Sequence, residues 1–204
     1  MDLALFDFDG TLTRSDSFVP FLQFASTRLR WVGGSALLLP VLLAYKLGLL
    51  RASPVRAIAC FVAFAGHRER SLRQLGADFA ATRLPQQVRP AVLERVRWHR
   101  ERGDRVRVVV VSASLDLYLD PWCASYALEL LCTRLMAVHG WMTGALQGGD
   151  CSRQGKVERI RKTYNLSEYE SVWAYGDTPD DFPMLRLADH KYFQGKEVSS
   201  LPGD

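Results

Sequence analysis

Asp7 and Asp9 stand two residues apart, directly after the short apolar run 3–6 and ahead of Gly10 and Thr11. Side chains at i and i+2 share one side of a strand, so this spacing predicts that both carboxylates face a common point. Unpartnered buried carboxylates are costly, and two of them at one point call for a cation. Gly10 lets the chain leave the strand sharply, and Thr11 brings a hydroxyl to the same place. On residue types alone, a solvated loop before a capped helix is the alternative. A second acidic group, Asp177, Asp180 and Asp181, follows the apolar run 172–175. Carboxylates so crowded repel one another unless a metal or cationic groups compensate. Two further stretches supply what an anionic ligand needs. Ser112-Ala113-Ser114 ends the valine-rich run 106–111, and a helix is expected from Leu115, so that free N–H groups and the helix dipole make an anion site. Lys156 follows the glycine-bearing loop 148–155 at the mouth of a helix over 156–164. A lysine in a first turn opposes the dipole, which points to an anion beside it, with an incidental surface position as the alternative.

The elements that must position these groups alternate between strand and helix. Runs 3–6, 106–111, 128–132 and 172–175 read as strands, with a last one near 191–193. The near-continuous valine of 106–111 is what burial on both faces of a parallel sheet produces. Helices are expected through Phe18, Phe21, Leu22 and Ala25 with Asp16 or Ser17 as cap, over 55–64 with Ser53 as cap and Pro54 first, and over 69–82 with Leu72, Leu75 and Phe79 on one face. Others follow over 88–102, 115–126 and 183–188, with a hairpin around 139–144 and a frayed tail at 199–204. This pattern is an α/β fold, a Rossmann-like doubly wound parallel sheet. Its core takes residues 1–15 and 88–204, and an all-helical insertion, 16–87, follows the first strand. In such folds ligands gather outside the carboxyl ends of the strands, which is where Asp7, Asp9, Ser112, Lys156, Asp177 and Asp181 fall.

Hydrophobic residues make up 48% of the 204 and charged residues 24%, values that exclude wholesale disorder. Cys60, Cys123, Cys132 and Cys151 form no C-x-x-C pair and suit reduced thiols in a cytoplasmic protein; no basic n-region opens the chain, so no secretory signal is expected. The net charge of +4 conceals an asymmetry: residues 28–107 hold 16 Lys or Arg against 5 Asp or Glu. Within them lies the run 31–50, uncharged from Trp31 to Tyr45 and apolar on every face around Pro40. A helix apolar all round must be buried in protein or lipid. Its basic flanks and edge aromatics suit insertion into an anionic membrane interface, which would make the protein peripheral on the cytoplasmic face. A buried helix or a homodimer seam is the alternative; a full span is too long for fifteen uncharged residues with Pro40 and Lys46. The basic residues form no stripe with stacking aromatics, which sets nucleic acid aside. His67, beside a helix-ending glycine, reads as structural.

Asp-Phe-Asp-Gly-Thr at 7–11, Ser112 at a second strand end, the lone Lys156 and Gly-Asp-x-x-x-Asp at 176–181 together resemble the haloacid dehalogenase superfamily of phosphatases. The helical insertion and the Cys-x-x-x-x-Lys spacing of Cys151 and Lys156 resemble its phosphoserine phosphatase branch, and the apolar insertion resembles phosphatidylglycerophosphatase C-type enzymes. The resemblance covers 3–15 and 88–195. It implies Asp7 as nucleophile forming an aspartyl-phosphate, and Asp9 as general acid and base. It implies Mg²⁺ on Asp7, Asp177 and the Asp9 carbonyl with Asp181 in support, and Thr11, Ser112, Ala113 and Lys156 around the phosphate. The implied substrate is a phosphate monoester borne by a lipid such as phosphatidylglycerophosphate; a soluble metabolite phosphatase, and more remotely a non-catalytic Mg²⁺-binding interaction protein, are the alternatives. Arg153 stands where that branch usually has Gly, and Asp180 where it has Asn. Its acidic residue for a substrate amino group is not evident, which disfavours phosphoserine itself.

Overall fold

The computed structural model describes residues 1–49 and 52–203, and only the backbone of Arg28, Leu29 and Asp104. Leu50, the end of the apolar run, and Arg51, a basic flank, lie outside the described residues.

The strands β1 (Asp2–Phe6), β2 (Val106–Leu115), β3 (Glu129–Val138), β4 (Trp141–Gln147), β5 (Val172–Gly176), β6 (His190–Phe193) and β7 (Lys196–Val198) form a 7-stranded sheet in the order β4-β3-β2-β1-β5-β6-β7. The five inner strands run parallel, as the valine-rich run predicts, and antiparallel β4 and β7 close the two edges. Alternation explains the central strand. Leu3 and Leu5 pack with Val109 and Val111 in one apolar cluster, whereas Ala4 and Phe6 pack with Val108 and Val110 in another. All four β1 residues from Leu3 to Phe6 are fully buried, and each large one contributes about 1.5–3 kcal/mol relative to exposure. Helices α7 (Gln154–Thr163) and α8 (Phe182–Leu185) cover the Leu3 side. Helices α5 (Pro90–Arg100) and α6 (Asp116–Ser125) cover the Ala4 side. Between β1 and α5 the chain forms α1 (Phe18–Ala25), α2 (Arg28–Lys46), α3 (Ala52–Phe64) and α4 (Glu69–Thr82). An antiparallel bridge between Thr13 and Val88 joins the two ends of that excursion.

Several boundaries differ from expectation for local reasons. β2 does not stop at Val111 but continues to Leu115, with a register shift against β3, and the helix starts at Asp116. Ser112 and Ala113 are therefore strand residues rather than a helix mouth. α3 is already helical at Ala52, so Ser53 lies inside it and is not its cap. Ser17 stands at the cap position of α1 without bonding the helix through its side chain, and Asp16 one residue earlier accepts the Val19 N–H on its Oδ2 at 3.1 Å. The hairpin turn holds His139 at φ 50° and Gly140 at φ 78°, the two left-handed positions that match strand twist. The tail is not frayed throughout, because Leu201 is buried against the Leu3 cluster.

α2 is one unbroken helix through Pro40. Trp31 and Leu38 rest on the core, but Leu37, Leu39, Leu43 and Leu47 are 64%, 56%, 52% and 74% exposed. An apolar helix buried within its own chain does not describe this surface. Among the described residues no helix is long and apolar enough to cross a membrane.

Beneath α5, His99 is fully buried, its Nε2 2.9 Å from the Tyr175 hydroxyl. Burial, then Arg102 and Arg95, lower its pKa to about 4. A histidine held neutral in the fold but protonated when unfolded contributes stability above pH about 6.5 that is lost as pH falls toward its folded value. The stability of the wild-type protein is thus expected to drop by about 3 kcal/mol across that window from this group. His99→Gln should flatten the pH dependence of the urea midpoint between pH 4 and 6.5; an unchanged slope assigns acid sensitivity elsewhere.

Candidate active site

The chain leaves β1 at Asp7, whose backbone N–H is held by the Tyr175 carbonyl at 2.9 Å. It then turns through Asp9, an extended residue inside a tight coil, and Gly10 at φ 83°. A side chain at position 10 would strike the Asp177 carboxylate, its Cβ lying 2.2 Å from Oδ2, so only glycine lets the two loops meet. On the neighbouring strand β5, Gly176 ends the apolar run and the chain enters the turn that carries Asp177 and Asp181. Lys156, on the first turn of α7, is buried and reaches across both loops.

Its ammonium donates to Asp7 Oδ1 at 2.5 Å and to Asp181 Oδ1 at 2.7 Å. The other Asp181 oxygen accepts from the backbone N–H groups of Asp177 and Thr178 and from the Thr178 hydroxyl, each at 3.2 Å. Thr11 Oγ1 donates to Asp177 Oδ1 at 3.2 Å. Ligand oxygens of Asp7, Asp177 and Asp181 all lie within 4.8 Å of one another. Burial drives the Asp7 carboxyl up to about 8 against the pull of Lys156, with Asp181 adding to the rise; burial and then Asp181 raise Asp177 as well. The two carboxylates in turn outweigh burial and hold Lys156 charged. One ammonium among three carboxylates leaves a surplus of negative charge, and an all-oxygen donor set suits a hard divalent cation such as Mg²⁺.

Asp9 does not share this point, contrary to the i, i+2 expectation. It lies beyond the strand, outside the three-acid cluster, with its carboxylate turned to Ser17 and Ser114 while its charge still acts on Asp7. Oδ1 accepts from the Ser17 N–H at 2.7 Å and the Ser17 hydroxyl at 2.6 Å, and Oδ2 accepts from the Ser114 hydroxyl. Ser17 Oγ also lies 3.0 Å from Tyr118 Oη. Burial, followed by the charge of Asp16, raises the Asp9 pKa to about 6, against the pull of the serine hydrogen bonds. A carboxyl poised near neutrality can give and take a proton, the property general acid–base chemistry requires.

Ser112 lies two residues past Val110, the partner of Phe6, and so at the same sheet edge as Asp7. Its buried Oγ accepts the Ser114 N–H at 3.0 Å. Ala113 is half-buried beside it. The sequence offered Ser17 only as a helix cap and Ser114 only within the Ser-Ala-Ser anion site; it gave no sign that they meet at Asp9, or that Tyr118 joins them. Arg153 and Asp180, the two departures from the phosphoserine phosphatase pattern, meet: Arg153, at φ 47°, places Nη2 2.6 Å from Asp180 Oδ1. His67 is a packing residue, its Nδ1 2.9 Å from Arg30 Nη1.

An α/β sheet whose five parallel inner strands carry acids, a lysine and hydroxyls at their ends is suited to holding an anionic group beside a cation. The chain belongs to the haloacid dehalogenase-like hydrolases, whose family model matches residues 4–186. Protein CicA of Caulobacter vibrioides is 35% identical over 203 residues, covering 95% of this chain and 87% of that protein. Among solved structures, a protein of unknown function from Bordetella pertussis superposes with a TM-score of 0.78 at 22% identity, covering 93% of this chain and 88% of the other. A substrate-bound phosphoserine phosphatase shares the fold with a TM-score of 0.65 at 18% identity, over 94% and 84% of the two chains.

Proposed function

We propose that this protein is a Mg²⁺-dependent phosphomonoester hydrolase working through an aspartyl-phosphate on Asp7. The carrying observation is Lys156, whose buried ammonium is shared between Asp7 and Asp181. An Asp7 oxygen attacks phosphorus as the bond to the leaving oxygen breaks, and Asp9 delivers the proton that oxygen needs. Water then attacks the phosphorus, Asp9 takes its proton, and the bond to Asp7 breaks to free inorganic phosphate. Lys156, with Ser112, Ala113 and Thr11 at the same edge, carries the phosphoryl oxygens. Mg²⁺ held by Asp7, Asp177 and the Asp9 carbonyl, with Asp181 in support, would offset the charge of a dianionic phosphate beside carboxylates.

Residues 16–87 act as a cap over this site, and the substrate is a phosphate borne by a lipid. Two features support that reading. The leucines that α2 leaves exposed are flanked by Arg30 and Lys46, a combination suited to an anionic membrane surface. A cavity of about 470 Å³ between α1, α2 and α3 is walled by Leu22, Trp31, Leu38 and Val55 and reaches Asp16, whose charge acts on Asp9. A hydrophobic leaving group protonated by Asp9 would run into that space. The expected result is faster Mg²⁺-dependent phosphate release from lysophosphatidate or phosphatidylglycerophosphate than from phosphoserine, with sedimentation on anionic liposomes. Turnover of soluble esters only, without liposome association, favours the second reading, a soluble metabolite phosphatase, which the shared fold of phosphoserine phosphatases supports; α2 would then cover a second copy of the chain, visible as a dimer in sedimentation velocity.

A further inference from the structure

We propose that Arg56, on the cap helix α3, positions Lys156 through Asp150, so that seating the cap and placing the phosphate-binding ammonium are a single event; this rests on the phosphatase reading for the role of Lys156. Asp150 opens the loop that leads to Lys156, and its side chain is only 3% exposed. Both of its carboxylate oxygens accept from Arg56 Nη1 at 2.9 Å. Thr133 on β3 donates to one of them at 3.0 Å, and Ser152 to the other at 2.8 Å. Arg56 is the one cation bonded to this carboxylate among the described residues, and it comes from the cap rather than from the core. The coupling onward is steric. Gly155, the residue before Lys156, lies so close to the Asp150 carbonyl that a Cβ there would sit 2.3 Å from its oxygen. Arg159 on α7 holds that same carbonyl at 3.1 Å and the Gly149 carbonyl at 2.8 Å, so the loop is braced on the helix that carries Lys156. The Cys151 N–H is tied to Thr133 Oγ1 at 3.0 Å, the hydroxyl that also serves Asp150. A shift of the Asp150 side chain therefore moves the backbone one residue from Lys156.

A buried carboxylate that loses its only cation must move, gain a proton or admit water. With Arg56 gone, Asp150 pulls away from its seat and the loop follows. Misplacement of a binding group by about 1 Å can lower turnover about 100-fold without weakening ground-state binding. Arg56 touches neither Asp7 nor Asp9, so it is a positioning residue.

The test uses the full chain and a small ester, phenyl phosphate, that does not fill the cap. Arg56→Ala is expected to lower kcat by about 10- to 100-fold with KM moved by less than about threefold. Arg56→Lys, which keeps the charge and the fold, should recover most of the loss. Asp150→Asn added to Arg56→Ala should cost nothing further, since both act through one link. Hydrogen exchange supplies a readout independent of turnover: amides of Cys151, Gly155 and Lys156 should exchange about tenfold faster in Arg56→Ala, and those of β1 at the wild-type rate. Unchanged exchange at those amides overturns the proposal, as does a rise in KM at constant kcat with additive double-variant losses. If the wild-type protein releases no phosphate, the phosphatase reading fails, and the exchange comparison still decides whether Arg56 holds the loop.

Discussion

Asp7→Asn is expected to lower phosphate release by about 10⁴-fold or more, because an amide cannot form the phosphoenzyme and the remaining groups then supply only binding and charge stabilisation. Its effect on stability should run the other way. Burial and the neighbouring Asp181 raise the Asp7 carboxyl to about 8. An acid whose pKa rises on folding supports the native state at low pH, and that support is lost as pH climbs from its unfolded value through its folded one. A neutral amide escapes this penalty, while Lys156 keeps its bond to Asp181. Asp7→Asn should thus melt no lower than the wild-type protein at pH 8 without Mg²⁺, and should gain less from added Mg²⁺, since one of three clustered carboxylates is gone. Calorimetry with and without the metal, beside a phosphate-release assay, checks both halves. Retained turnover sinks the nucleophile assignment; a much lower melting point would mean that the fold relies on this carboxylate.

Lys156→Met carries the second large effect. The side chains are alike in length, so the change removes a charge and its donors more than it removes volume. Lys156 is 2% exposed and bonds two buried carboxylates, which would be left facing each other. Breaking a buried ion pair from one side costs about 3–5 kcal/mol. Loss of an aimed donor at the phosphoryl oxygens costs about 10²- to 10³-fold in kcat. The stability loss has a definite pH dependence. Without the ammonium the Asp7 carboxyl, already raised by burial, loses the charge that pulls it down, so the penalty is small near pH 4–5, where Asp7 holds its proton, and grows as pH rises through its folded value. Urea midpoints at pH 5 and pH 8 measure it. Mg²⁺ should restore part of the stability and little of the turnover, because a metal replaces the charge but not the donor. A pH-independent loss would place the damage in packing instead.

The strand–helix alternation and the main acidic groups could be read before any coordinates because each has a local cause. β1 and the first half of β2 are covered on both faces, which leaves no polar choice for Leu3–Ala4–Leu5–Phe6 or for Val108 to Val111. α4 was legible to the residue, since Leu72, Leu75 and Phe79 recur at helical spacing. Asp7, Asp177, Asp181 and Lys156 stood out because such charges at strand ends are unexplained by folding alone. β7 was not legible, being three residues long and polar; its pairing with β6 is what makes it a strand. Nor was the true extent of β2, whose Ser112–Leu115 segment is extended because β3 lies beside it.

Pairing between distant loops was beyond sequence reading for the same reason. Arg153 and Asp180 each registered as an oddity, and only the fold makes one the partner of the other. The partners of Asp9 were not legible either, because strand alternation ends at Phe6 and the turn after it obeys contacts with Ser17 and Ser114. Local chemistry, then, determined which residues are candidates for a site and the kind of fold that gathers them, since periodicity and charge are properties of neighbouring positions. Which carboxylate meets the lysine, which meets the serines, and how α3 reaches Asp150 through Arg56 were decided only in the folded chain, where the contact of Lys156 with Asp7 spans 149 positions and that of Thr11 with Asp177 spans 166, both set by packing.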